Sequence, residues 1–493
     1  MVNPLKRLKR VEQLIEHELY FTIHAPRKTG KTTYICALAR RINAEGKYIA
    51  MVLSLGQAEF NGISVEKANE SIINALYLSS DRQLKETFRP PNPELKHYPD
   101  LANYLTDWCE SQEKPIVLFI DGIDSLLDDV LVSVLRQLRS GYPSRPKYFP
   151  SSIIMVGLRD TGKYKIGLRN GDYSYSGDIY NITSDSLLLP NFKKEEVAEL
   201  LELYTQDTGQ IFLDEVKEET FRLSNGQPWL VNALARQMTI LENDYSKPIT
   251  MNVLIQAKNK LIQRRATHLD NLFEVLKEER VKEVVQAIIN GDNLVFDIMD
   301  DDILYVRGLG IVSETAPLTF ANPVYAEMIP RILLSPIQAS IPLEIQTTSF
   351  VKEDGQLDME KILSVFQEFY MENAEPWLNR FIYKQCANYL LLIAFLQRVI
   401  NSGGEIMHEM AGGNGRIDLL VKFKEQYYAL EFKIKRDKYT IEDGKEQLDQ
   451  YLDHLGLKKG YLVIFDPADI EWEKKIYLDE ITYNDKAIIL VGV

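Results

Sequence analysis

From Tyr20 to Thr33 the chain reads Y-F-T-I-H-A-P-R-K-T-G-K-T-T, and the helical pattern I-C-A-L-A-R-R-I-N follows almost at once. A short apolar strand that runs through a loop into Gly30-Lys31-Thr32 and then a helix leaves few folds open. The loop N–H groups and the helix N-terminus converge on one point, which favours an anion. This is the strand-loop-helix setting of a phosphate-binding loop. Here Ala25, Pro26, Arg27, Lys28, Thr29, Gly30, Lys31, Thr32 and Thr33 are expected to wrap nucleotide phosphates. Lys31 would reach the outer ones, and the Thr32 hydroxyl would hold Mg²⁺. The first glycine of G-x-x-x-x-G-K-[ST] is Ala25 in this chain, which costs backbone freedom but keeps the lysine and the hydroxyl. A chance match in a basic turn is the alternative.

A second motif, P-I-V-L-F-I-D-G-I-D, is an unbroken apolar strand ending at Asp121. Its carboxylate would join the Mg²⁺ shell beside Thr32. Many such ATPases carry a glutamate at the next position to orient the attacking water, and here that position is Gly122. Asp124 is the nearest substitute, and a weak base implies slow hydrolysis in which bound ATP acts as a switch. A helix N-cap ahead of S-L-L-D-D-V-L is the competing role for Asp124.

At 493 residues the chain is too long for one core and suggests about three or four domains. From Tyr20 to about Ser246, apolar runs alternate with helical patterns, which implies a parallel, helix-covered sheet. The expected organisation is an α/β P-loop ATPase domain over 1–246 and a helical, winged-helix-like module over 247–335. A linker and helix over 336–375 then lead to an α/β restriction-endonuclease-like domain over 376–493.

A further strand, S-S-I-I-M-V-G-L, ends at Arg159, and Gly226-Gln227-Pro228 heads the helix W-L-V-N-A-L-A. The order of phosphate loop, D-G-x-D, strand-terminal arginine and G-Q-P-W resembles the STAND branch of the AAA+ ATPases. The resemblance implies that Arg159 senses the γ-phosphate and that Pro228 forms a nucleotide-responsive turn. A surface arginine and a helix-capping turn are the plainer readings. The segments Arg264–Asp270 and Ala321–Tyr325 resemble stretches of uncharacterised bacterial ATPases with this architecture.

In the last segment, Asp418 opens the strand I-D-L-L-V, twelve residues separate it from Glu431, and Y-A-L-E-F-K-I puts Glu431 and Lys433 on one face of a strand. Cutting an unactivated phosphodiester calls for a divalent metal, carboxylates to hold it and a lysine near the nucleophile. Gln447 and Tyr451 follow on one face of a helix. This set resembles the PD-(D/E)xK nucleases. The resemblance makes Asp418 and Glu431 the ligands of Mg²⁺ or Mn²⁺, with Lys433, Gln447 and Tyr451 completing the catalytic set. The family's further acidic residue corresponds to Gln385 here, which would lower metal affinity. The alternative is a surface ion-pair cluster on a retired scaffold. The run Lys433 to Lys438 is open to contact with nucleic-acid phosphates or to simple solvation.

The sequence has no apolar run near the ~20 residues of a membrane helix. Its three scattered cysteines match neither a disulfide framework nor a zinc site. A cytoplasmic setting is expected, with no membrane partner. The net charge of −14 argues against whole-surface attraction to nucleic acid and leaves a local groove open. The expected function is an ATP-binding, slowly hydrolysing switch over a nuclease, in DNA processing or defence, with nucleic acid and a nucleotide-dependent homo-oligomer as partners; the sequence does not identify a trans-acting arginine, for which Arg136 and Arg139 are only candidates. The alternative is a nucleotide-dependent switch whose nuclease-like domain binds nucleic acid or a protein partner without cutting.

Overall fold

A computed structural model describes residues 2–56, 63–126, 128–158, 165–167, 173–175, 183–263, 272, 274–289, 300–315, 318–338, 350–378, 386–400, 404–410, 417–468 and 470–493. They form two compact units, Met1–Phe221 with Gly226–Thr250, and Arg222–Asn225 with Met251–Val493.

The first unit begins with α1 (Val11–Glu16), β1 (Tyr20–His24), α2 (Lys31–Glu45), β2 (Ile49–Ser54), α3 (Val65–Gln83) and α4 (Leu101–Glu110). There follow β3 (Ile116–Asp121), α5 (Asp128–Gly141), β4 (Ser152–Gly157), the short hairpin β5 (Lys165–Gly167) and β6 (Tyr173–Tyr175), and β7 (Thr183–Leu188). Helices α6 (Lys194–Thr208), α7 (Asp214–Ser224) and α8 (Pro228–Leu241) come last. Five strands make a wholly parallel sheet in the order β2-β3-β4-β1-β7.

The unbroken apolar runs follow from burial on both faces. Met51, Leu53, Leu118, Ile120, Ile153 and Met155 point to one core with Ile72, Trp108 and Leu135 from α3, α4 and α5. The alternate residues Ala50, Val52, Val117, Phe119, Ile154 and Val156 meet Leu14, Ile35 and Leu38 from α1 and α2 in a second core. Because the strands are parallel, β1 and β3 end on the same edge, and the loops that follow them meet there although β4 lies between the two strands.

The second unit begins with α9 (Met251–Gln263), α10 (Glu279–Ile289), α11 (Asp301–Gly308) and α12 (Pro323–Gln338). The Lys258 ammonium of α9 reaches buried Glu327 of α12 at 2.8 Å, and Arg331 closes on the same carboxylate at 2.6 Å. Of the wing expected here, the described residues contain one antiparallel bridge, Val312 to Phe320. Helix α12 continues past Ser335, where the sequence suggested a linker. Arg264–Asp270 lies outside the described residues.

Helices α13 (Met359–Leu378) and α14 (Ala387–Ile400) precede β8 (Gly404–Met410), β9 (Ile417–Phe423), β10 (Gln426–Ile434), α15 (Thr440–Leu455), β11 (Lys459–Phe465), β12 (Tyr477–Tyr483) and β13 (Lys486–Gly492). The strands form one mixed sheet ordered β12-β13-β11-β10-β9-β8. Strand β9 is antiparallel to both β8 and β10, and β11 joins β10 in parallel by way of α15. Phe432 packs on Tyr389 of α14 and on Phe465 at ring separations of 5.1 and 5.0 Å. Leu448, Tyr451 and Leu452 of α15 pack with Leu420, Ala429 and Leu462 of the sheet.

Candidate functional site

In the first unit, β1 delivers the chain into the Ala25–Thr33 loop. Ala25 directly follows the last residue of β1, and its N–H donates to the Gly157 carbonyl at the end of β4 at 3.2 Å. The left-handed positions of the loop are Lys28, at φ 67°, and Gly30, at φ 87°. Ala25 carries no such demand, so the missing first glycine costs the loop nothing at that point. Thr29 is buried and its hydroxyl donates to the Pro26 carbonyl at 2.7 Å, drawing the loop round on itself. Arg27, Lys28, Thr32 and Thr33 are exposed.

Lys31 opens α2 and folds back over the loop, donating to the carbonyls of Ala25 at 2.6 Å and Pro26 at 2.9 Å. Burial pulls its ammonium down to about 8, against the opposing influence of Asp124 and Asp121. The next residue, Thr32, donates its hydroxyl to Asp121 Oδ2 at 2.7 Å. Burial raises the Asp121 carboxyl and outweighs both the Thr32 hydrogen bond and the charge of Lys31. A hydroxyl beside an under-compensated carboxylate is a pair of hard oxygen donors suited to Mg²⁺, so the residues present fit that ion.

The residue after Asp121 is fixed by backbone contact. Gly122 has φ 82°, and a Cβ there would stand 3.2 Å from the Gly56 nitrogen. Asp121 O also accepts the Leu55 N–H at 2.8 Å, which holds the two chains together. Asp124 lies in the 3-10 turn Ile123–Ser125, and its Oδ1 accepts the Leu158 N–H at 3.2 Å at the end of β4. It therefore ties β3 to β4 and stands apart from the start of α5 at Asp128.

Arg159 lies outside the described residues. Pro228 is the first residue of α8, where its missing N–H costs no helical bond. Just before it, Gly226 has φ 66° and packs so close to Phe192 that a Cβ would sit 1.9 Å from the Phe192 carbonyl oxygen. Just after it, the Trp229 N–H donates to the Lys28 carbonyl at 3.3 Å, so the G-Q-P-W turn touches the phosphate loop directly. Arg7 touches the same loop and was missed in sequence, being one member of a basic cluster without a motif. Its guanidinium donates to the Thr29 carbonyl at 2.9 Å and to the Pro190 carbonyl.

In the second unit, Glu431 is buried and pairs with the Lys433 ammonium at 2.7 Å. Lys433 also donates to Gln447 Oε1 on α15. Gly444 permits that approach, because a Cβ would lie 2.8 Å from Leu462 Cδ1 and 3.3 Å from Lys433 Cγ. Tyr451, one turn beyond Gln447, is buried in the same helix-sheet core. The backbone of Asp418 lies in β9 opposite Glu409, one step past the Leu419–Leu430 pair that aligns β9 with β10. The Asp418 side chain and all of Gln385 lie outside the described residues. No group of three or more metal-ligating side chains occurs among the described residues. No helix among them is long and apolar enough to cross a membrane.

No family model matches the chain, and no curated protein matches it. Among solved structures, the Walker-type ATPase of Pyrococcus abyssi is similar at 14% identity, covering 67% of this chain and 96% of that one with a TM-score of 0.46. The Thermotoga maritima RuvB Holliday junction branch migration motor is similar at 15% identity, with 62% and 86% covered and a TM-score of 0.34. The Aeropyrum pernix ORC1 protein in complex with DNA is similar at 11% identity, with 65% and 93% covered and a TM-score of 0.36.

Proposed function

We propose that this chain is an ATP-binding, slowly hydrolysing switch, akin to the STAND branch of the AAA+ ATPases, that controls a metal-dependent phosphodiester-cutting centre. The observation that carries the nucleotide reading is the 2.7 Å contact between Thr32 and Asp121, with Lys31 folded over the loop beside it. The Thr32 hydroxyl and the Asp121 carboxylate would hold Mg²⁺, which when bound neutralises phosphate charge. Lys31 exchanges its two loop carbonyls for phosphate oxygens. Asp124, held by the Leu158 N–H, supplies the acid that Gly122 lacks and orients water. Arg159 as sensor and Pro228 as responsive turn belong to the same reading.

The nuclease reading rests on Glu431, Lys433 and Gln447 meeting on one face of β10 and α15. It is supported by the order of α14, three antiparallel strands, α15 and the parallel strand β11. Asp418 and Glu431 would hold Mg²⁺ or Mn²⁺. Lys433 holds Glu431 and is placed to position the nucleophile, while Gln447 and Tyr451 complete the set. Residues 1–246 then bind nucleotide, 247–335 relay its state, 336–375 link, and 376–493 cut. Nucleic acid is the partner this implies, and Arg136 or Arg139 would serve in trans if the chain self-associates.

A second reading keeps the switch and has the nuclease-like domain bind without cutting. It is favoured by the engagement of Glu431 with Lys433 and by the net charge of −14. The deciding experiment incubates single- and double-stranded DNA and RNA with Mg²⁺ or Mn²⁺, with and without ATP, using the native chain, Lys433→Ala and Lys31→Ala. Metal-dependent cutting lost in Lys433→Ala and altered in Lys31→Ala supports the first reading. ATP binding without cutting of any substrate supports the second.

A further inference from the structure

Arg7 comes from outside the nucleotide motifs, and its two contacts bear on how the phosphate loop is aimed. In a trans peptide the carbonyl and the next N–H point to opposite sides. The Thr29 carbonyl is held by Arg7 at 2.9 Å, so the Gly30 N–H of the same peptide unit is turned to the opposite side. The unit before it is held likewise. Trp229 donates to the Lys28 carbonyl at 3.3 Å, which turns the Thr29 N–H forward. Lys28 and Gly30 are the left-handed residues that let successive N–H groups converge into an anion nest.

The guanidinium is itself well fixed. It lies over the Phe192 ring at 5.2 Å and donates to the Pro190 carbonyl. The Phe192 N–H in turn donates to the Gly226 carbonyl at 2.8 Å, next to the turn that carries Trp229. Two external groups thus grip adjacent peptide units of the loop and are connected to each other through Phe192.

We propose that Arg7 is a positioning residue for nucleotide phosphates, holding the Thr29–Gly30 peptide so that its N–H faces the ligand. This rests on the ATP-binding reading above. The test is titration of the full chain with fluorescent ATP and ADP, comparing wild type, Arg7→Ala, Arg7→Lys and Lys31→Ala, with thermal unfolding of each ligand-free protein alongside. Arg7→Ala should weaken ATP and ADP by the same factor, about tenfold, the worth of one charge-assisted hydrogen bond. Arg7→Lys keeps the charge but reaches one carbonyl, and should fall between the two. Unchanged affinity in both Arg7 variants overturns the proposal even if their unfolding midpoints drop, because that is the signature of a structural role alone. A wild-type chain that does not bind ATP, or binds it independently of Lys31, overturns the ATP reading and this proposal with it.

Discussion

Gly122 and Gly56 pass each other so closely that a Cβ on Gly122 would approach the Gly56 nitrogen to 3.2 Å, and Gly122 itself is left-handed at φ 82°. On the proposed ATPase reading, the position that would hold a water-orienting glutamate is thus filled by backbone packing. Gly122→Glu should not raise ATP hydrolysis. It should lower stability by about 1–2 kcal/mol from the left-handed conformation alone, read by urea denaturation beside a steady-state phosphate-release assay. A gain in turnover at unchanged stability would contradict this account.

Lys31 titrates at about 8 in the folded chain because its ammonium is desolvated. Between about 8 and its ordinary value of 10.5, the unfolded chain holds this proton and the folded chain does not. The contribution of Lys31 to folding stability therefore rises with pH across that window. On the proposed ATP-binding reading, nucleotide binding runs the opposite way, since phosphate pairs with the ammonium form. ATP affinity should fall above pH 8, by up to about tenfold per pH unit, with proton uptake detectable by calorimetry in buffers of different ionisation enthalpy.

Asp121→Asn preserves a hydrogen-bond acceptor for Thr32 and removes the charge. The Mg²⁺-dependent part of ATP affinity should drop about tenfold or more, seen as a dissociation constant that no longer tightens when Mg²⁺ is added. The ligand-free protein should unfold no earlier than wild type, because a half-buried, under-compensated carboxylate has been removed.

Gly444→Ala sets a helix gain of about 1 kcal/mol against a methyl group forced toward fully buried Leu462 and the Lys433 stem. Overpacking of about 1–3 kcal/mol should win, leaving a net loss of about 1 kcal/mol in chemical denaturation. A more stable variant would mean that α15 can shift away from β10 without cost.

The elements nearest the nucleotide motifs were open to reading because the loop demands a strand before it and a helix after it. Period-two burial on both sheet faces explains why the strands appear as continuous apolar runs. Strand order, by contrast, is a matter of long-range pairing, and nothing local in S-S-I-I-M-V-G-L says that it lies between the two motif strands. The Thr32–Asp121 contact could be anticipated from motif chemistry, whereas the Gly56–Gly122 crossing and the grip of Arg7 depend on chain segments that carry no signature. Ala25 departs from the loop's glycine, and its backbone, which is not left-handed, explains why alanine is acceptable. The sequence leaves Asp124 open to an N-cap or a catalytic role, and neither predicts its bond to the Leu158 N–H.

Ile249 is fully buried and bridges Phe212, while Gln210 donates to the carbonyls of Glu242, Asp244 and Lys247 on the way to it. The first compact unit consequently ends at Thr250, a few residues later than the apolar pattern suggests. A gene split after Ser246 would strand Phe212 beside an empty slot and release the Gln210 amide from one of its carbonyls. Cutting after Thr250 keeps both, and leaves only Arg222–Asn225 of the second unit on the first piece.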